Sequence, residues 1–171
     1  MAGVALGHMT KVLLGSTILV GVNGSIETYV SQAAGAKEKK LAGTYLNQGR
    51  IILCFFFIPI ALILSCTEKT MVMLGQDKEV AQYAQQFVVM SLPSVVLSGL
   101  NDSQKKFLNC FKKNYVPMVT NAVNVLLYPV ILYIFVFQLN LGIVGLAMTD
   151  NISTFLTLLC NLVYTWTLED L

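Results

Sequence analysis

The sequence predicts an all-α fold, a polytopic transmembrane helical bundle of five spans. Three observations carry that expectation. The 171 residues are 56% hydrophobic and only 12% charged, with a mean hydropathy of +0.69, whereas a soluble domain carries roughly 25% charged residues. The charges leave long gaps. Residues 51–67, 80–101, 114–149 and 151–168 hold none, in runs of 17, 22, 36 and 18 residues, and 12–26 adds a run of 15. A bilayer core of about 30 Å needs about 20 mainly apolar helical residues. Finally, the apolar runs do not alternate. Phe55 to Ile58 and Ile131 to Phe137 are apolar without interruption, unlike a spanning strand, which alternates over about 9–11 residues.

The same numbers exclude other classes. A disordered chain is poor in apolar residues and rich in charge. A net charge of +2 is no footprint for nucleic acid. Four cysteines in 171 residues are too sparse for a disulfide scaffold.

The spans follow in order. The first is expected over about 4–33, ending in polar residues that project beyond the hydrocarbon. The second covers about 48–66 and the third about 80–100. The 36-residue gap is too long for one helix, and Gln138-Leu139-Asn140-Leu141-Gly142 is its natural break, because Asn and Gly favour turns and Gly readily takes a positive φ. That gives a fourth span at 117–138 and a fifth at 143–166. Loop charge sets the orientation. Segments 34–50 and 102–113 each net +3, and segment 66–79 nets −1. Basic loops mark the cytoplasmic side, and the two spans between the basic loops place both on it. Met1 is then outside and Leu171 inside, with the tail Glu169-Asp170 a mild departure from the rule. A cleaved signal peptide over 1–22 is disfavoured, since Lys11 would interrupt its apolar core. A missing preceding helix accounts for the outside start.

Three stretches resemble the multidrug and toxic compound extrusion (MATE) family. Gly24-Ser25-Ile26-Glu27-Thr28-Tyr29-Val30-Ser31-Gln32-Ala33-Ala34-Gly35-Ala36 is similar to the box ending its second helix. Leu74-Gly75-Gln76-Asp77, with Pro93 and then Gln104-Lys105-Lys106-Phe107-Leu108, resembles the loop before helix four and the end of that helix. Gln138 to Ala147, followed by Asn151-Ile152-Ser153, resembles the turn into helix six. The family box often reads Leu-Cys-Gly-Gln or Leu-Ile-Ser-Gln after the Thr, where this chain has Tyr29-Val30-Ser31-Gln32. Asp150 stands where the family is more often uncharged. The resemblance implies a partial N-terminal lobe, helices two to six, of a twelve-helix fold. Helix one and the C-terminal lobe, with its acidic residues implicated in cation coupling, have no counterpart in these residues.

Asp150 is the sharpest candidate for chemistry. A helix starting near Ile143 sets it about 10 Å deep at 1.5 Å per residue. An acid there costs several kcal/mol unless it is neutralised, paired or facing water. It reads either as an ion-coupling or substrate-cation site, or as a residue favoured by the nearby helix N-terminus. Glu27, the box acid, is a second candidate for ion coupling. The resemblance implies a structural or gating role for it near the cytoplasmic mouth, and structural hydrogen bonding or an ion pair with a basic loop residue is the favoured reading. Asn121 and Asn124 share a helix face, being three residues apart. With Asn151 and Tyr128 they are candidates to line a cavity, or they act as interhelical hydrogen-bonding glue, which is worth about 0.6–2 kcal/mol per bond. Pro93 and Pro129 are expected to kink their helices, as static bends or as moving segments. Lys11 is expected to snorkel to the outer interface. Trp166 with Tyr164 reads as an interfacial anchor.

His8 is the sole histidine, so neither a Ser-His-Asp triad nor a His metal cluster is expected. No nucleotide-binding motif is present. The expectation is therefore a multi-pass integral membrane protein of the plasma or an organelle membrane, and not an enzyme. The resemblance implies a secondary transporter that exchanges organic cations or xenobiotics for H⁺ or Na⁺, with no cofactor. The bilayer, the substrate cation, helix one and the second lobe are its expected partners. The alternatives are a flippase of lipid-linked precursors, whose cavities tend to be basic, or a non-transporting membrane fragment or scaffold.

Overall fold

The computed structural model describes residues 2–167, so Met1 and the Glu169-Asp170 tail lie outside the described residues. Seven helices account for nearly all of it. They are α1 (Ala2–Gly35), α2 (Lys39–Ser65), α3 (Thr67–Met73), α4 (Lys78–Met90), α5 (Leu92–Cys110), α6 (Tyr115–Gln138) and α7 (Gly142–Thr167). Helices α1, α2, α6 and α7 are each long and apolar enough to cross a bilayer, and the pair α4–α5 makes a fifth, bent span.

The expected spans were too short at their charged ends. Segments 34–50 and 102–113 are mostly helix rather than loop, since α2 begins at Lys39 and α5 runs to Cys110. Lys, Arg and Gln are good helix formers, so a helix continues past the point where charge becomes tolerable. The absence of charge marks the part inside hydrocarbon, not the helix. Three helix ends close the same way. Glu38 N–H reaches back to the Ala33 carbonyl at 3.0 Å, Gln76 to Met71 at 3.1 Å and Lys113 to Leu108 at 3.0 Å, around Lys37, Gly75 and Lys112 at φ of 61°, 85° and 59°. This is the Schellman arrangement, which ordinarily uses glycine. Two of the three ends place a lysine there instead. The break between α6 and α7 falls where the sequence expects it, with Asn140 at φ 51° and Gly142 at φ 52°.

The third span is not one straight helix. It bends by 50° between α4 and α5 at Ser91, and Pro93 occupies the first turn of α5 rather than a helix interior. The missing proline N–H ends the α4 ladder at that point. The side-chain amide of Asn151 donates to the Met90 carbonyl left at the bend, at 2.9 Å. Helix α6 continues through Pro129 to Tyr133 and then widens into a π-helical turn, Ile134–Gln138. Pro59 lies inside α2, whose helix is likewise unbroken.

Helix α1 is the centre of the bundle and packs on α2, α4 and α5, while α7 packs on α4, α5 and α6. The core joins Leu19, Ile26 and Val30 of α1 to Leu46, Leu53 and Leu64 of α2, with Phe87, Val95 and Ala147 closing it. At its N-terminal end α1 lies almost against the α4 backbone. A Cβ at Gly3 would stand 2.7 Å from the Val80 carbonyl, and one at Gly7 would stand 2.9 Å from that of Ala84. Glycine is therefore required at both positions. In contrast, α6 turns Met118, Val125, Leu126 and Val130 outward, an apolar face suited to hydrocarbon.

Candidate functional site

The close approach of α1 to α4 decides where Lys11 points. Gly3, Gly7, Lys11, Gly15, Leu19 and Asn23 recur every four residues, and all six are buried. An α-helix has 3.6 residues per turn, so such a repeat drifts by about 40° per step. A π-helical stretch, with bonds spanning five residues, turns less per residue. Residues Lys11–Ser16 form one, and it reduces the drift where the repeat passes from Lys11 to Gly15. Lys11 points into the bundle with the rest of the repeat. It is 7% exposed and does not snorkel outward.

Its partner is Asp150. Lys11 Nζ stands 2.6 Å from Asp150 Oδ2, and the ammonium lies 5.2 Å from the centre of the Phe87 ring on α4. The other carboxylate oxygen, Oδ1, accepts the Tyr128 hydroxyl of α6 at 2.9 Å. Four helices thus meet at one carboxylate. Lys11 lies nine residues into α1 and Asp150 eight residues into α7. Both helices start at the same end of the bundle, so the two charges sit about 12–14 Å in from it. A buried carboxylate needs an opposite charge and further hydrogen bonds, and Asp150 has both. Its backbone carbonyl also accepts the Thr154 hydroxyl at 2.7 Å.

Two cavities flank the pair. The larger, of about 480 Å³, is walled by His8, Phe87, Tyr128, Leu146 and Asp150. The smaller, of about 210 Å³, is walled by Lys11, Ser16, Ser94, Ser98, Asp150 and Thr154. The first offers aromatic rings and a carboxylate, the chemistry that receives an organic cation. The second presents four hydroxyl groups beside His8, Val12 and Val95.

The other expected residues are dispersed. Of the four candidates for cavity lining, only Tyr128 meets Asp150. Asn121 accepts from the Lys105 ammonium at 2.8 Å. Asn124 lines a separate groove of about 300 Å³ between α6 and α7, and Asn151 holds the α4–α5 bend. Glu27 lies toward the C-terminal end of α1, 3.2 Å from Lys106 of α5, which also approaches Asp102 at 3.8 Å. The Asn23 amide donates to Asp102 Oδ2 and to the Gly99 carbonyl, both at 2.9 Å. The basic partner of Glu27, Lys106, is therefore on a helix, not in a loop. The Glu27 side chain is 48% exposed, and exposed ion pairs contribute little. Glu27→Gln is expected to lower stability by less than about 1 kcal/mol, read by unfolding the protein from nanodiscs with dodecyl sulfate.

Sequence reasoning missed Lys11, Phe87 and Gln104. The four-residue repeat around Lys11 was the available signal. Gln104 is fully buried and links α2 to α7, accepting from the Arg50 guanidinium and donating to the Thr165 hydroxyl at 2.5 Å. Among the described residues, no three of His, Cys, Asp and Glu cluster as a metal site would require.

Known proteins are similar to this chain in sequence and in fold. The chain is 27% identical over 177 residues to Multidrug and toxin extrusion protein 1 of Xenopus tropicalis, covering 96% of this chain and 31% of that protein. It is 30% identical over 149 residues to Protein DETOXIFICATION 35 of Arabidopsis thaliana, covering 85% of this chain and 30% of that one. The chain thus spans about a third of the length of the curated relatives it matches. The crystal structure of the eukaryotic MATE transporter AtDTX14 superposes with a TM-score of 0.92 at 22% identity, over 99% of this chain and 38% of that one. An inward-facing multidrug resistance MATE transporter of the MOP superfamily gives 0.83 at 17%, over 98% and 38%. These two likenesses establish the fold, a bundle of membrane-crossing helices. A profile of the MatE family matches residues 1–134, more than half of the sequence, and this integral membrane chain belongs to that family of transporters.

Proposed function

We propose that the chain forms helices two to six of the N-terminal lobe of a secondary antiporter. It exports organic cations or xenobiotics in exchange for H⁺ or Na⁺. A gradient rather than a nucleotide or bound cofactor drives the cycle, and helix one and a second lobe complete the translocation path by alternating access. The observation that carries this reading is the Asp150 carboxylate in the wall of a 480 Å³ cavity, held between Lys11 and Tyr128. An intramembrane acid facing a cavity can take a proton, a metal cation or an organic cation in turn, and only one at a time. That exclusivity is the requirement for exchange. The extrusion proteins named among the relatives support the substrate class, and the aromatic walls supplied by Phe87 and Tyr128 support it on chemical grounds.

The test uses proteoliposomes carrying the full-length protein. An imposed pH or Na⁺ gradient should drive uptake of a fluorescent organic cation. Asp150→Asn should abolish the gradient-driven part, while Asp150→Glu keeps a measurable fraction of it. Uptake that is unchanged in Asp150→Asn removes Asp150 from the coupling step.

A further inference from the structure

We propose that Lys11 is a tethered occupant of the cation site: its ammonium holds the place on Asp150 and Phe87 that an organic cation takes on binding. The inference rests on the proposal that Asp150 receives the substrate cation. An organic cation in the larger cavity gains a carboxylate and an aromatic face. Lys11 already has both, at 2.6 Å from Asp150 Oδ2 and 5.2 Å from the Phe87 ring centre. The two cations therefore compete for one carboxylate oxygen and one ring.

The smaller cavity supplies the place to which Lys11 withdraws. Ser94, Ser98 and Thr154 each commit their hydroxyl proton to a backbone carbonyl, at 2.7, 2.8 and 2.7 Å. Their oxygen lone pairs remain available to accept from an ammonium. Lys11 opens the π-helical stretch Lys11–Ser16, a geometry associated with functional positions in helices. Binding of the external cation moves Lys11 from the carboxylate to the hydroxyls, and release of that cation draws it back. Asp150 is then never left in the membrane without a positive partner, which an isolated buried charge would require at large cost. The apparent affinity is reduced by the fraction of time Lys11 holds the site.

Binding of ethidium to the full chain in nanodiscs tests this. Lys11→Met should tighten binding by about tenfold, since the competitor is gone. Lys11→Arg should leave binding near the native value, and Asp150→Asn should remove it with or without Lys11→Met. Native affinity in Lys11→Met, with binding still lost in Asp150→Asn, overturns the tether while leaving the cation site standing. Native affinity in Asp150→Asn overturns the cation site itself. A second measurement needs no variant. Saturating ethidium should raise the modification of Lys11 by an amine-reactive reagent, followed by peptide mass spectrometry, and an unchanged rate overturns the tether even if Lys11→Met does not fold.

Discussion

In a double-mutant cycle, Lys11→Met and Asp150→Leu are each expected to destabilise the bundle by about 3–5 kcal/mol, because each leaves the other charge buried and unpaired. The double variant should lose only about 1–3 kcal/mol, the penalty for stranding the Tyr128 hydroxyl. The coupling energy is therefore large and of the sign that marks a mutually dependent pair. The Lys11 side chain is 8% exposed and that of Asp150 15%. That small exposure places the single losses toward the lower end of the range. Unfolding by dodecyl sulfate reads all three variants against the native chain. Losses that add within about 0.5 kcal/mol would show that the two residues do not depend on each other. The direction also distinguishes stability from function. Lys11→Met is expected to weaken the fold while tightening cation binding, because the ligand supplies the positive partner that the variant lacks.

The architecture was legible because membrane helices announce themselves by what they omit. Charge-free runs located the spans, and the Asn140–Gly142 break appeared where the residue types placed it. The boundaries were less legible, since Lys39 and Arg50 continue a helix as readily as they end a span. Asp150 stood out through its isolation in the sequence. Lys11 is equally visible as a lone cation, and snorkelling is its expected behaviour only when the glycines at positions 3, 7 and 15 are left aside. Gly3 and Gly7 bring α1 against α4, and that approach leaves the lysine no outward path. Two lone charges of opposite sign, at equal depths in two helices that start on the same side, already implied a pair. Phe87 and Tyr128 were not separable from other aromatics by sequence, since their role depends on which helix faces which. The asparagines, read as cavity lining or as interhelical glue, meet different neighbours for the same reason. Spacing of three places Asn121 and Asn124 on one face of one helix, but it does not name the neighbour each one meets.

Replacing Gln104 by leucine is expected to destabilise the bundle by about 2–3 kcal/mol, the cost of leaving a charged donor without its acceptor. Gln104 has no solvent exposure. Its carbonyl oxygen accepts from Arg50 of α2, and its amide donates to Thr165 of α7. From Thr165 the chain of bonds continues, as its hydroxyl donates to the Asn161 carbonyl at 2.8 Å. The Asn161 amide donates to Asn101 of α5 at 2.9 Å, and Asn161 Oδ1 accepts the Thr120 hydroxyl of α6 at 3.1 Å. Four helices are tied through two fully buried amides. Leucine is comparable to glutamine in volume, though it branches one carbon earlier, and it has none of glutamine's bonding capacity, so the loss measures chiefly polar satisfaction. Arg50 would keep only its bond to Asn47, at 3.1 Å. Gln104→Glu separates the two halves of the argument. A carboxylate strengthens the bond to the guanidinium but cannot donate to Thr165, so its loss should be smaller than that of leucine. If instead both variants unfold with the native chain, the buried amide contributes nothing to holding α2 against α7. If glutamate is the worse of the two, burying its charge against the Thr165 oxygen costs more than the stronger bond to Arg50 returns.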